Sequence, residues 1–371
     1  MYEPVARKIL FSSKKARVRR TLISIVVLFI APLISAIAFS ASLGMVADNE
    51  SDMFQLFDAD TGELIASLQG EKGRVSADCA LSEDETIGFS SHANRHISIF
   101  QLVDTLTGLD AVYSSIEISN AGVDMSLSPD GRLLISTGAG NVYEPLSIID
   151  TVSKTEIAAS DPFLDHTSAE FCDDGTLLLT TTYGHSLAQP FDNAMYDARV
   201  SPDGELQLSG HRISSGAQPN NGSCAPGSRS GVLLDREAGL TSFTLPGMVK
   251  ADFATLNSPT AVAAVFSQNG DRLYVRTTRT VEAFDFNPFN GEMTADWVKP
   301  VAYTSEYFGV DQIAVHPDNG QIYVDGGREL LILDPVSGRQ TGLVQAGDAT
   351  GVCFAQRQRH TLVSDIAAIS P

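Results

Sequence analysis

The chain has 371 residues, 43% of them hydrophobic and 19% charged, and a formal net charge of −20. That length holds one large domain or two ordinary ones, and the apolar content excludes wholesale disorder. An acidic surplus of this size argues against nucleic-acid phosphates or anionic lipid heads as partners of the globular part.

The charge is uneven along the chain. Seven of the 25 basic residues lie in the first 38 positions (Arg7, Lys8, Lys14, Lys15, Arg17, Arg19 and Arg20), and beyond them 18 basic residues face 44 acidic ones. "KKARVRR" runs into "TLISIVVLFIAPLISAIAFSASLG", uncharged from Thr21 to Gly44. Basic flank, apolar run and small residues follow one another in the order of a signal peptide. Ala36-Ile37-Ala38 and Ala38-Phe39-Ser40 are both acceptable cleavage sites. The run is also long enough to cross a bilayer as a helix. Residues 1–44 are therefore expected to form an apolar helix acting as signal peptide or membrane anchor, the anchoring part being 21–43, with 45–52 a short linker. Arg19-Arg20 also resembles a twin-arginine export signal. Either way the rest of the chain is expected outside the cytoplasm, periplasmic or extracellular, touching a membrane through this segment alone.

From residue 53 onward a strand–turn–strand unit recurs. It is clearest in "MSLSPDGRLLIST" from Met125, and returns in "CALSEDETIGFS" from Cys79, "EFCDDGTLLLTT" from Glu170, "AVFSQNGDRLYVRT" from Ala264 and "AVHPDNGQIYVDG" from Ala314. Two weaker copies are "SCAPGSRSGVLLD" from Ser223 and "VCFAQRQRHTLVS" from Val352. The spacing of 39 to 52 residues is that of a repeat architecture. A second series is out of phase with the first. It comprises "FDADTGELIASL" (Phe57), "VDTLTGLDAVY" (Val103), "IDTVSKTEIAAS" (Ile149), "VSPDGELQLSG" (Val200), "LDREAGLTSF" (Leu234), "FNPFNGEMTADW" (Phe286) and "LDPVSGRQTGLV" (Leu333). Asp-Gly and Asn-Gly supply the positive φ of tight hairpins, and proline before Asp presets the first corner of the turn. Two interleaved series of seven turns imply seven units of four short antiparallel strands. The fold class expected is all-β, a seven-bladed β-propeller of four-stranded antiparallel blades over residues 53–371, preceded by the N-terminal apolar helix. An outer strand at Met53 is expected to complete the last blade, whose inner strands are read in "TGLVQAG", "TGVCFA" and "HTLVSD". Trp297 is expected to pack between blades.

These residues resemble the YVTN-type β-propeller repeat family, in "SPDGRLLIST", "SQNGDRLYVRT" and "HPDNGQIYVDG". A narrower likeness is to lactonase-like propellers related to 6-phosphogluconolactonase and the muconate-lactonising enzymes. It rests on "FDFNPFNGEMTADW", "ARVSPDGELQLSG", "GAQPNNGSCAPGSRSGVLLD" and "HTSAEFCDDG". The resemblance implies a histidine at His166 ahead of an Asp-Gly turn, and makes His166 and Arg199 the candidate catalytic residues. Where that family has Pro-Arg-His, this chain has Pro219-Asn220-Asn221, so the arginine that would stabilise an oxyanion is missing. Size, export and blade count are also similar to the propeller subunit of periplasmic amine dehydrogenases.

Four cysteines, Cys79, Cys172, Cys224 and Cys353, allow two disulfides with three connectivities, or buried thiols. His92 and His96 flank a hairpin tip and are the candidate metal ligands; His166, His185 and His211 are candidates to converge at one mouth. "DADTGE" at Asp58 opens like a calcium loop but reads as a turn. "GSRSG" puts Arg229 where a nucleophile elbow needs serine. No cofactor is predicted, although a divalent cation would suit the acidic surface. The function expected is that of a non-catalytic binding or scaffold protein of the cell envelope, holding a protein or small-molecule ligand on one propeller face. The alternative is an enzyme, a lactonase-like hydrolase or an amine-dehydrogenase-like oxidoreductase subunit.

Overall fold

Six reversals of the first series and all seven of the second join consecutive antiparallel strands, and between them they build a ring of seven sheets. The computed structural model describes residues 42–355 apart from 49–52, 71–75, 93, 106–107, 139–144, 160–165, 182–193, 215–218, 228, 236, 238, 259, 305–311 and 348. Of residues 76–77, 104–105, 108 and 166–167 it describes the backbone alone. The expected N-terminal helix lies outside the described residues, as do His185, "HTLVSD" and the final "IAAIS".

Every blade is a four-stranded antiparallel sheet. Blade 1 is made of β1 (Leu43–Asp48), β2 (Met53–Asp58), β3 (Leu64–Gln69) and the last strand, β28 (Ala349–Phe354). Blade 2 holds β4 (Ser76–Leu81), β5 (Ile87–His92), β6 (His96–Thr105) and β7 (Gly108–Glu117). Blade 3 holds β8 (Asp124–Leu127), β9 (Leu133–Thr137), β10 (Ser147–Asp150) and β11 (Thr155–Ala159). Blade 4 holds β12 (His166–Phe171), β13 (Leu177–Thr181), β14 (Ala194–Val200) and β15 (Leu206–Ser214). Blade 5 holds β16 (Pro219–Cys224), β17 (Ser230–Asp235), β18 (Gly239–Thr244) and β19 (Val249–Thr255). Blade 6 holds β20 (Ala261–Phe266), β21 (Arg272–Thr277), β22 (Thr280–Phe286) and β23 (Met293–Pro300). Blade 7 holds β24 (Ile313–Val315), β25 (Ile322–Asp325), β26 (Leu330–Leu333) and β27 (Gln340–Val344). The inner strands β28, β4, β8, β12, β16, β20 and β24 touch in succession, and β24 returns to β28, so the ring is closed.

Closure differs from the sequence expectation in two ways. Blade 1 takes three strands from the N-terminal side and only its innermost strand, β28, from the C-terminal side. The segment Leu43–Asp48, expected as the end of the apolar run and a linker, is β1, fully buried between β28 and β2. The uncharged run continues through Ala47 to within one residue of the end of "LGMVAD", so nothing local marks where the strand begins. Its partner β28 is distant in sequence. "TGLVQAG" lies in the outer strand of blade 7; the seventh turn expected after Ala355 lies outside the described residues, and β28 pairs with β1. In the second series "LDREAGLTSF" joins β17 to β18; the outer turn of blade 5 is Leu245–Met248.

The turns carry their own chemistry. In blade 3 the Leu133 N–H donates to Ser128 Oγ at 2.9 Å while that hydroxyl donates to Asp130 Oδ1 at 2.7 Å. Gly131 sits at φ 68° and its N–H reaches the Ser128 carbonyl. Gly175 and Gly270 repeat this at φ 78° and 73°, but blade 2 has Glu85 there, at φ 57°. In the outer series Asp58, Asp150 and Asp334 each accept two backbone N–H groups through Oδ1. The Ser337 hydroxyl and amide hold Asp334 below its ordinary value, and the Ser153 amide does the same for Asp150.

Seven apolar clusters fill the seven spaces between blades. Those flanking blade 1 are rich in aromatics: Phe54 meets Phe100 of blade 2 at 5.1 Å, and Phe57 stacks on Tyr323 of blade 7 at 5.5 Å. The Tyr323 hydroxyl donates to the Ala59 carbonyl, and burial raises its pKa. Trp297 packs between blades 6 and 7 as expected, its indole N–H donating to Pro335 O at 3.3 Å. The cysteines pair as Cys79–Cys353 and Cys172–Cys224, with Cα separations of 5.9 and 5.5 Å. Each pair joins neighbouring blades, blade 1 to blade 2 and blade 4 to blade 5.

Two stability predictions follow from these contacts. Replacing Cys79 and Cys353 by alanine will lower unfolding free energy in urea by about 3–5 kcal/mol, more than the Cys172/Cys224 replacement, because its loop spans 274 residues against 52. Glu85→Gly will raise stability by about 0.5–1 kcal/mol in the same assay, since only glycine adopts that φ without strain.

Candidate functional site

A propeller has two unlike faces. One, the hairpin face, carries the turns that leave the inner strands and those that enter the outer strands. On the other, the crossover face, each inner strand begins and the chain passes from one blade to the next. The inner strand of each sheet has one edge without a strand partner, so its backbone groups on that side need other partners.

At the crossover face, side chains from the preceding blade supply several of them. Asp78 of β4 accepts the Met125 N–H of β8 through Oδ2 at 2.9 Å. Asp124 of β8 accepts the Ala169 N–H of β12 at 2.8 Å, and Ser126 Oγ accepts the Phe171 N–H at 2.9 Å. The Ser168 hydroxyl donates to Asn221 Oδ1 at 3.0 Å. Asn220 then donates to the carbonyls of Ala261 and Val262 at 2.7 and 3.3 Å. These links run unbroken from blade 2 to blade 6. Asp78, Asp124, Ser168, Asn220 and Asn221 are all buried. The register shifts by one residue at the start of β12, β16, β20 and β4, the signature of a bulge that bends a strand.

Between blades 6 and 7 the link is Arg276, a fully buried side chain. It donates to the carbonyls of Thr277 at 2.6 Å, Ala302 at 2.9 Å and Asp325 at 3.0 Å. Burial pulls its pKa down to about 10, with the Asp325 carboxylate pulling the other way, so it stays charged at neutral pH. Sequence reasoning missed Arg276. The available signal was a cation near the end of "RLYVRT", a strand whose other residues after Arg272 are uncharged.

The sequence-predicted candidates are not assembled. His166 opens β12 at the crossover face; its side chain lies outside the description. Its strand partner is Thr181, which pairs with Ala194. Arg199 lies five residues further along β14, about 17 Å away at strand spacing, on the hairpin face. There its guanidinium, 64% exposed, reaches Asp174 at 3.5 Å. The expected catalytic pair thus occupies opposite faces. His211 is in the outermost strand of blade 4, with Nδ1 3.2 Å from Asp197 Oδ2. It is three strands from β12, about 14 Å at sheet spacing, so it does not converge with His166.

His92 and His96 do face each other across the β5–β6 hairpin. His92 is buried, edge-on to Phe54 at 5.7 Å, with Nε2 2.7 Å from Ser98 Oγ. His96 directs Nδ1 to the Asn94 carbonyl at 3.1 Å. Among the described residues no three His, Cys, Asp or Glu side chains gather to hold a metal ion. Asp58 is a turn residue, as expected.

No family model matches the chain, and no curated protein matches it by sequence. Solved structures share its architecture. A functionally unknown protein from Desulfotomaculum acetoxidans superposes with a TM-score of 0.74 at 17% identity, over 86% of this chain and 100% of that one. A putative 6-phosphogluconolactonase from Bacteroides uniformis gives 0.68 at 12% identity, over 85% and 100%. The periplasmic gluconolactonase of Pseudomonas aeruginosa gives 0.68 at 14%, over 86% and 100%. At these identities the likeness is one of fold, a seven-bladed propeller.

Asp124 tests the mouth bonds directly. Asp124→Ala, which leaves the Ala169 N–H without this acceptor, will cost about 2 kcal/mol in urea unfolding, and Asp124→Asn, which keeps an accepting oxygen, clearly less.

Proposed function

We propose that the protein is an exported β-propeller acting as a non-catalytic binding or scaffold protein of the cell envelope, with its crossover face as the ligand-bearing side. The observation that carries this reading is the use of the buried polar groups at the mouth. Asp78, Asp124, Asn220 and Arg276 hold one blade to the next, while His166 and Arg199 stand on opposite faces. A rigid ring with recognition on its connections is the usual way this fold is put to use. Export is supported by the basic and apolar N-terminal order, by two cleavage sites that both precede β1, and by two disulfides, which persist in oxidising compartments.

A lactonase-like hydrolase is the second reading, favoured by the shared architecture with a gluconolactonase and a putative 6-phosphogluconolactonase. Lactone opening needs a positioned base for water and donors for the developing oxyanion.

One pair of measurements separates the readings. Purified mature protein will leave the hydrolysis of gluconolactone and 6-phosphogluconolactone at the spontaneous rate. Protein recovered from cells will be in the envelope fraction, starting after Ala38 or Ser40 or retaining its anchor. Catalysed hydrolysis would replace the first reading with the second, and full-length protein in the cytosol would refute export.

A further inference from the structure

We propose that the crossover face of blade 6 bears a cleft for a carboxylate-bearing small molecule of monosaccharide size, with Arg279 as its anchor. The inference rests on the reading of this face as the ligand-bearing side and names the ligand's chemistry. The cleft, about 400 Å³, lies between the connections that bring the chain into and out of blade 6. Asn257, Ser258, Arg279, Thr280, Pro300 and Tyr303 line it. That volume is in the range of small-molecule sites.

Arg279 is held from both sides. Its N–H donates to Thr277 Oγ1 at 3.2 Å, and its carbonyl accepts the Val301 N–H at 2.9 Å. The Thr304 N–H donates to the Thr278 carbonyl at 3.1 Å, so the segment carrying Tyr303 is zipped to the turn carrying Arg279. The guanidinium lies over the Tyr303 ring, 5.6 Å from its centroid, and that ring is 61% exposed. Among the described residues no carboxylate pairs with Arg279, whereas Arg199 meets Asp174 and Arg272 meets Asp285 and Asp296. Arg279 is exposed, so its guanidinium is open to an anion from solvent.

Beneath the cleft Glu282, 1% exposed, orders the walls. Its Oε1 accepts the Asn257 N–H at 2.8 Å and the Thr280 hydroxyl at 2.9 Å, and its Oε2 accepts the Asn257 side-chain N–H at 2.9 Å. A stacked guanidinium presents its fork of donors edge-on, the geometry that meets a carboxylate through two parallel bonds. The exposed Tyr303 side chain and Pro300 give the cleft apolar contact area for a ring's C–H groups beside the guanidinium.

The test is calorimetric titration of the intact protein with glucuronate, and with glucose as its uncharged counterpart. Glucuronate will bind, weakened by rising salt, and glucose at least tenfold more weakly. Arg279→Gln will reduce glucuronate affinity at least tenfold with an unchanged melting temperature. Arg229→Gln, which removes a similar arginine stacked on Phe289 on the hairpin face, will leave it intact. Failure of glucuronate to bind the folded wild type would overturn the cleft. Equal binding by Arg279→Gln would also overturn it, while leaving a ligand-binding role for the face.

Discussion

The whole molecule depends on how the free edge of each inner strand is satisfied. A four-stranded sheet ends on both sides in unpaired backbone groups. On the outside water can take them, but at the ring's centre seven edges crowd together with their sheets already covered on both faces. From blade 2 to blade 6 inner edges are met by side chains of the neighbouring blade, carboxylate to N–H at Asp78 and Asp124 and amide to carbonyl at Asn220, and between blades 6 and 7 the Arg276 guanidinium joins the second strands. These bonds align consecutive blades, and the apolar clusters between them supply most of the burial. The polar character of the mouth is thus a consequence of ring geometry before it is a property of any ligand site.

The same constraint explains how the ring is sealed. A blade cannot bury both faces of its sheet alone, so the first and last must meet. Blade 1 does this by borrowing β28 from the far end of the chain, and the surrounding contacts reinforce the junction. Phe57 and Phe354 pack with Tyr323 on one side, Phe54 with Phe100 on the other. The Ser42 hydroxyl donates to Asp318 of blade 7, and Cys79 is bonded to Cys353. These contacts hold the one blade whose strands come from distant parts of the chain.

Much of this architecture was legible because its punctuation is local. Ser128, Asp130 and Gly131 specify their turn with their own side chains and φ preference, and so do Asp334 and Ser337, whatever lies beyond them. The errors came where pairing is distant. "LGMVAD" has no local feature separating it from the apolar run before it, and its partner lies at the other end of the chain. "LDREAGLTSF" has the composition of an outer turn but joins the middle strands of blade 5, the outer position being taken by the Leu245–Met248 turn. Site residues were less legible still. Spacing along the chain placed His166 and Arg199 in one blade, but a strand carries successive residues away from a mouth at about 3.3 Å each. Arg276 and Arg279 differ by one turn of sequence, yet one is buried structure and the other an exposed cation. Only the tertiary arrangement of blades 6 and 7 separates them.

Function follows from the division between the faces. The hairpin face consists of short self-contained turns, whereas the crossover face gathers the longer connections and the ordered cleft of blade 6. The ring depends on β1 and β28 sharing one blade. The most direct measurement is mass-spectrometric mapping of disulfides in a non-reduced digest of the purified protein. The closed ring predicts peptides containing Cys79 linked to Cys353 and Cys172 linked to Cys224. Cys79 linked to Cys172, or Cys353 linked to Cys224, would place these strands elsewhere and contradict the closure.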